Sequence, residues 1–261
     1  WTMGLFHAIS MTTIAMCCIQ WYWSTPGDDK IVPDSPVFWG FKTTMIKHFG
    51  TMCLGSMLIA IVQWCRVCLR IFEKRLLAVT GNAKVGKYLL CCAQCCLACF
   101  ERLVKFLTTH AYVMTSMTGA SLIPGAKNAM GLLASNLSVL GVNILGDVVI
   151  TLGKLLLTAL NMFFAFLWLQ HTTNSSDSIS KSNYIVLIVI IGLLTYFITS
   201  VFATVFSMSI DSILLSYCYD SEHNDGTSKP YYFPSTLKEH IGHAHRRGSK
   251  PPVKSEAAPL I

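Results

Sequence analysis

Three ionisable residues interrupt the long apolar stretches of this sequence and could move or balance charge there. Asp147 and Lys154 are seven residues apart, about two helical turns, so a helix places them on one face. A lone charge near the centre of a bilayer costs about 3 kcal/mol or more, so Lys154 needs water, a route to the interface, or a partner such as Asp211. The pattern predicts either a structural ion pair between helices or a relay for protons or substrate. His7 and His48 are weaker candidates for the same role.

A second group with chemical potential is a dense cluster of cysteines. Its members are Cys91, Cys92, Cys95, Cys96 and Cys99. Zinc sites usually take a second pair of ligands from a distant element, and the sequence offers no obvious second pair, so we predict no metal site. Cysteines beside basic residues near a membrane are typical of reversible S-palmitoylation, which is the modification we predict here. Buried apolar cysteines without a chemical role are the alternative.

Enzyme motifs are missing from the sequence. It contains no phosphate-binding glycine loop, no zinc-protease motif and no nucleophile elbow. We therefore predict that the protein is not an enzyme and needs no cofactor.

Four long apolar segments must position these residues. Residues 3–23, 48–65, 144–169 and 184–210 approach or exceed the ~20 residues that cross ~30 Å of hydrocarbon. Only 13% of the residues are charged, well below the roughly 25% of ordinary soluble domains. Backbone groups in hydrocarbon must be satisfied within the protein, which favours helices. The sequence thus predicts an all-α, multi-pass transmembrane helical bundle.

The segment between the second and third spans has a different character. Residues 66–142 begin with basic and apolar residues at helical spacing, which predicts an amphipathic helix on the inner face of the membrane. Gly119, Pro124 and Gly125 then predict a broken or re-entrant helical element packed on protein.

The predicted domain organisation is a transmembrane domain followed by a tail. The first covers residues 1–217, and the second is a cytoplasmic tail at 218–261 that becomes disordered toward its end. Because the chain begins at Trp1 rather than Met, we expect it to be part of a longer protein.

Charges near the spans predict the orientation. Lysine and arginine dominate residues 66–110 and the tail, which places both in the cytoplasm. The 24–47 loop is balanced, and the 170–183 loop contains Asn174 in an N-glycosylation pattern, so both are predicted outside. Both termini would then be cytoplasmic, and the protein would be glycosylated at Asn174. The net charge of +7 fits inner-face residues that meet anionic lipid, without nucleic acid.

Trp21, Tyr22 and Trp23 follow the first span directly. Amphipathic rings prefer the headgroup level, so the main interpretation of the three is a membrane anchor at the outer surface.

Several blocks, taken together and in order, resemble the choline transporter-like proteins. They are HFGTMCLGSMLIAIVQ at 48–63, ACFERLVKFLTTHAYV at 98–113, PGAKNAMGLL at 124–133, DVVITLGKLL at 147–156, SIDSILL at 209–215, HNDG at 223–226 and KPYYFPSTLKE at 229–239. The sequence departs from the family at His110, where Asn is usual, and at Thr118, where an aromatic residue commonly precedes Gly119. These departures bear on substrate preference rather than on the fold.

The resemblance implies secondary transport of choline or a related small organic cation across the plasma membrane or an organelle membrane, and we expect the plasma membrane. It also implies about ten spans in the whole protein, so earlier spans missing from this chain would be needed as partners. A quaternary ammonium has no N–H to donate and is held by aromatic ring faces. The candidates for this role are Trp21, Trp39, Tyr112 and Tyr196. A membrane scaffold that is acylated at the cysteines and transports nothing is the alternative function.

Overall fold

The computed structural model describes residues 1–27, 29–31, 34–80, 84–173, 181–225 and 229–234. These ranges contain α-helices and no strand, which confirms the all-α prediction. The helices are α1 (Thr2–Tyr22), α2 (Pro36–Lys47), α3 (Phe49–Thr80), α4 (Lys84–Thr118), α5 (Leu122–Ser135), α6 (Leu137–Thr173) and α7 (Lys181–His223).

Four of these helices are long and apolar enough to cross a bilayer. The spanning segments are Thr2–Tyr22 in α1, Phe49–Phe72 in α3, Val139–His171 in α6 and Ile185–His223 in α7. Each overlaps one of the four apolar runs in the sequence, so the predicted number of spans within the described residues is confirmed.

The chain forms two compact units. Unit 1 consists of Trp1–Val139 together with Asp211–Ile261, and unit 2 consists of Leu140–Ile210. Helices α1 to α5 belong to unit 1, while most of α6 and the larger part of α7 belong to unit 2.

Close packing of α1 against α2 and α3 organises unit 1. A Cβ added to Gly40 of α2 would lie 3.2 Å from the carbonyl oxygen of Thr13, so the two backbones approach closely at this glycine. The buried Thr12 hydroxyl donates to the Ala8 carbonyl oxygen at 2.8 Å and lies 2.6 Å from the sulfur of Met52 in α3. These contacts bury one face of α1.

Helix α4 packs on α3 and then breaks. Tyr112 lies so close to Gly55 of α3 that a side chain there would collide with its hydroxyl group. Gly119 adopts a φ of +72°, a conformation that L-residues with side chains rarely adopt, and the chain then turns into α5. The break between α4 and α5 confirms the predicted broken helical element.

The middle portions of α3 and α4 are joined by an ion-pair network around Glu101. Arg66 and Lys105 each place a nitrogen 2.7 Å from a Glu101 oxygen, and the Gln63 amide donates to the same carboxylate at 3.1 Å. The Lys105 and Arg66 hydrogen bonds, with that of Gln63, lower the pKa of Glu101 to about 2.

The loop after α1 meets the segment after α7 within unit 1. Lys30 Nζ donates to the carbonyl oxygen of Tyr232 at 2.7 Å, and the rings of Trp23 and Tyr232 lie 4.9 Å apart. Residues in direct contact lie on the same face of a membrane. The prediction that the 24–47 loop is outside while the tail is inside is therefore wrong in its relative placement.

The physical reason for this error is the charge balance of the loop. Three lysines offset the three aspartates of residues 24–47, so charge gave no strong bias, and the positive-inside rule does not include tertiary contacts.

Candidate functional site

A cavity of about 720 Å³ lies in unit 1, where the end of α1 meets α2 and the end of α4. It is lined by Met16, Ile19, Gln20, Trp23, Ser24, Ile31, Trp39, Thr43, Lys47, His48, Ser116, Met117, Thr118 and Gly119. Its volume is in the range of sites for small molecules, which are mostly apolar with a few polar groups that fix orientation. The lining has this mixed composition.

Two indole rings, those of Trp23 and Trp39, are among the residues that line the cavity. Indole presents the most favourable aromatic face for a cation. Among the described residues of the lining, Lys47 alone carries a permanent charge, and its side chain is exposed. Water screens such an exposed charge strongly, so its repulsion of a bound cation is weak.

The break between α4 and α5 forms part of the cavity wall. Thr118 and Gly119 line it directly, at the point where the helical hydrogen bonding of α4 ends. Broken helices commonly build the substrate sites of transporters, because their free backbone groups can face a ligand.

A buried carboxylate, that of Asp220, holds together chain segments next to the cavity. Asp220 is fully buried, and its Oδ2 accepts hydrogen bonds from the Tyr22 hydroxyl at 3.0 Å and from the backbone N–H groups of Tyr232 and Phe233 at 2.8 and 3.1 Å. Its Oδ1 accepts a bond of 2.6 Å from the Asn224 amide. Asp220 thus ties the end of α7, the end of α1 and the segment after α7 together.

Trp23 lines the cavity and also packs against residues around Asp220. Its ring lies 5.4 Å from that of Tyr22, 6.1 Å from that of Tyr219 and 4.9 Å from that of Tyr232, centroid to centroid. The position of one cavity indole is therefore set by residues almost 200 positions further along the chain, as in the Tyr22–Asp220 separation of 198.

Lys30 reinforces the same junction. Its ammonium donates to the carbonyl oxygens of Tyr22, Thr25 and Tyr232 at 2.5, 2.6 and 2.7 Å. It also lies 5.4–5.9 Å from the ring centroids of Trp21, Tyr22 and Tyr232. The loop after α1 and the segment after α7 are thereby clamped against each other.

The sequence of this chain matches a known protein family. The family model described as plasma-membrane choline transporter matches residues 1–222. The chain belongs to this family. It is 35% identical over 243 residues to choline transporter-like protein 2 of Dictyostelium discoideum, a match that covers 92% of the chain and 37% of the relative.

Animal relatives show a similar relation. Choline transporter-like protein 2 of Bos taurus is 33% identical over 95% of this chain and 35% of its own length. Choline transporter-like protein 5-A of Danio rerio is 31% identical over 96% of this chain and 36% of its own length. The chain therefore spans little more than a third of the choline transporter-like proteins it matches.

The four aromatic residues predicted to bind choline lie in different places. Trp39 lines the cavity, whereas the ring of Trp21 is near Lys30. Tyr112 is 4% exposed in the core of unit 1, and Tyr196 is 46% exposed in unit 2. Their roles in binding stay predictions, and Trp39 is the one that the cavity supports.

Of the cavity lining, sequence reasoning identified only Trp39 as a binding residue; Gln20 and Trp23 are among those that it missed. Tyr22 is fully buried, so the anchor interpretation is wrong for that residue; for Trp23, which is half-buried and packs on Tyr232, it stays a prediction. Helical spacing offered a signal, because Gln20 and Trp23 lie four residues beyond the cavity residues Met16 and Ile19.

The predicted intramembrane charges divide between the units. Asp147 and Lys154 lie in unit 2, where the Ser207 hydroxyl donates to Asp147 Oδ1 at 2.9 Å. Asp211 is buried, at 8% exposure, in unit 1. Both the ion-pair role and the relay role stay predictions.

The structure describes the predicted palmitoylation sites but not the predicted glycosylation site. Cys91, Cys92, Cys95, Cys96 and Cys99 are all exposed on α4, and palmitoylation of these thiols stays a prediction. No group of histidine, cysteine, aspartate and glutamate that could hold a metal occurs among the described residues. Asn174 lies outside the described residues, so its glycosylation stays a prediction as well.

Proposed function

We propose that this chain is part of a secondary transporter that moves choline or a related small organic cation across the plasma membrane. The proposal concerns the whole protein, because the chain spans little more than a third of its relatives. Family membership supports it, and the relatives are named as choline transporter-like proteins rather than as enzymes.

The observation that carries the proposal is the cavity with two indoles, Trp23 and Trp39. A quaternary ammonium cannot donate hydrogen bonds, so ring faces are its natural ligands, and each contributes about 0.5–2 kcal/mol. Methionine and isoleucine side chains in the same wall suit the methyl groups of such a cation.

Uptake of radiolabelled choline tests the proposal in cells that express the full coding sequence. The Trp39→Leu variant should raise the KM for choline about five- to tenfold, because it removes one cation–π contact. Trp39→Phe should lose less, since it keeps an aromatic face.

Trp64→Leu is the matched control. Trp64 is 70% exposed on α3 and lies outside the cavity lining, so its replacement should leave the KM unchanged. Uptake no higher than in empty-vector cells, despite normal surface expression of the unmodified protein, would reject transport and favour the acylated scaffold.

A further inference from the structure

Three carbonyl oxygens and three aromatic rings surround the ammonium group of Lys30 in unit 1. The oxygens belong to Tyr22, Thr25 and Tyr232 and lie 2.5, 2.6 and 2.7 Å from Nζ. The rings are those of Trp21, Tyr22 and Tyr232, with centroids 5.9, 5.4 and 5.8 Å from the same nitrogen. Rings at this distance attract a cation electrostatically. We call these six groups the ammonium cage.

The ammonium cage is matched to a primary ammonium. Such a group has three N–H donors, one for each of the three carbonyl oxygens. A quaternary ammonium has no N–H and would leave those oxygens against methyl groups, without a hydrogen bond. The cage therefore differs from an indole face, which attracts a primary and a quaternary ammonium alike.

Contacts that do not involve Lys30 hold the cage in place. The Tyr22 hydroxyl donates to Asp220 Oδ2 at 3.0 Å, and the backbone N–H of Tyr232 donates to the same oxygen at 2.8 Å. Tyr232 also packs its ring on that of Trp23 at 4.9 Å. Both segments that supply the cage are thus tied to one buried carboxylate, and we expect the cage to persist when the lysine side chain is shortened.

The cage can be reached from the surface and adjoins the cavity. Lys30 is half-buried, so the path that its side chain takes into the cage opens to the outside. Its sequence neighbour Ile31 lines the cavity, as does Ser24, whose hydroxyl donates to the carbonyl oxygen of Trp21 at 2.9 Å. Occupancy of the cage therefore bears on one wall of the cavity.

We propose that the ammonium cage is a binding site for primary alkylammonium ions, which Lys30 fills as a tethered ligand of the chain itself. The tether gives the lysine a high effective concentration, so a free amine enters only when the side chain is removed or withdrawn. Withdrawal releases the loop after α1 from the segment after α7, and a primary amine in the cage restores the connection. This site goes beyond the proposed transport of an organic cation, and it can be tested without measuring uptake.

Lys30→Ala empties the cage for the test. The substitution removes three carbons and the ammonium, which together have the size of n-propylammonium. A ligand that binds only the folded state raises the melting temperature, so n-propylammonium chloride at about 100 mM should raise that of the purified full-length variant in detergent. The expected rise is about 3 °C or more for a Kd near ~10 mM. Tetramethylammonium chloride at the same concentration should give no such rise, because it has no N–H.

Two variants serve as matched controls. Lys30→Met keeps a side chain of similar length in the cage and leaves no room for the amine, so n-propylammonium should not raise its melting temperature. Lys105→Ala truncates a lysine whose ammonium lies 2.7 Å from one Glu101 oxygen and is 49% exposed. This variant offers one exposed carboxylate contact instead of a cage and should show no rise either.

The absence of a rise with n-propylammonium in Lys30→Ala would overturn the proposal, and so would an equal rise with tetramethylammonium or in either control variant. If Lys30→Ala is lost during purification, the amines are added during extraction instead. Recovery of monodisperse protein with n-propylammonium but not with tetramethylammonium then supports the site, and equal recovery with both overturns it. None of these results depends on choline uptake, so the transport proposal and this site stand or fall separately.

Discussion

Helices α1 and α6 are both apolar enough to cross a bilayer, yet they differ sharply in what surrounds them. In the most apolar window of α1, 39% of the residues are buried inside the protein, whereas none are buried in that of α6. Apolarity therefore identifies a span but does not tell whether its surface meets protein or hydrocarbon.

The two units differ in the same way. Unit 1 holds its helices with polar contacts between distant residues, such as those of Tyr22 with Asp220 and of Arg66 with Glu101. In unit 2, Leu152, Phe164 and Phe197 are more than half exposed. Unit 1 of this choline transporter family member is thus built to hold a site, and unit 2 presents surface suited to lipid or to further spans.

The largest effect should come from the buried carboxylate of unit 1. Asp220→Ala leaves the Tyr22 hydroxyl, two backbone N–H groups and the Asn224 amide without their acceptor, so we expect a loss of about 4 kcal/mol or more in unfolding free energy. Asp147→Ala in unit 2 removes one hydrogen bond from Ser207 and should cost about 1 kcal/mol. Thermal unfolding in detergent measures both. Equal losses for the two variants would contradict the contrast between the units.

A smaller effect is expected from paired glycine substitutions. Gly55→Ala forces a methyl group against the Tyr112 hydroxyl and to 2.9 Å from Thr108 Cγ2, and should lower stability by about 1–3 kcal/mol. A Cβ at Gly153 in unit 2 meets nothing within 4 Å, so Gly153→Ala should raise stability by about 0.5–1 kcal/mol through its better helix propensity. The melting temperatures of both variants should therefore shift in opposite directions. A gain in Gly55→Ala would show that the close packing of α3 on α4 is not required.

The smallest effect should be on the pH dependence of stability, through Glu101. The pKa of Glu101 is lowered from 4.5 to about 2 by Lys105, Arg66 and Gln63, so its contribution is fully present above the unfolded value and is lost as pH falls through this range. Arg66 and Lys105 are 32% and 49% exposed, so water screening limits the contribution to about 1 kcal/mol.

Glu101→Gln should flatten the pH dependence of the melting temperature below about pH 4.5. The described part of unit 2 contains no ion pair, so this acid sensitivity should belong to unit 1. An unchanged profile in Glu101→Gln would assign the acid sensitivity to other carboxylates.

Much of the fold could be predicted because it depends on local composition. The four spans, their helical form and the break at Gly119 follow from apolar length and from glycine and proline positions. The side of the membrane could not be predicted for the 24–47 loop, because its contact with Tyr232 joins residues more than 200 positions apart.

The candidate site was predicted less well for the same reason. Trp39 lines the cavity, but nothing local distinguishes Trp23 at the cavity from Trp21 beside Lys30, two residues earlier on the same turn. Asp220 shows no special pattern in the sequence, although its carboxylate accepts four hydrogen bonds.

The sequence by itself determined the solvent of this protein, its helical class and its family, because hydrocarbon permits few backbone structures and apolar length is read residue by residue. Only the tertiary structure decided which indoles face a common cavity and which carboxylate is buried behind them. Those properties come from packing between residues distant in the chain, such as Tyr22 and Asp220. Local composition does not specify this packing.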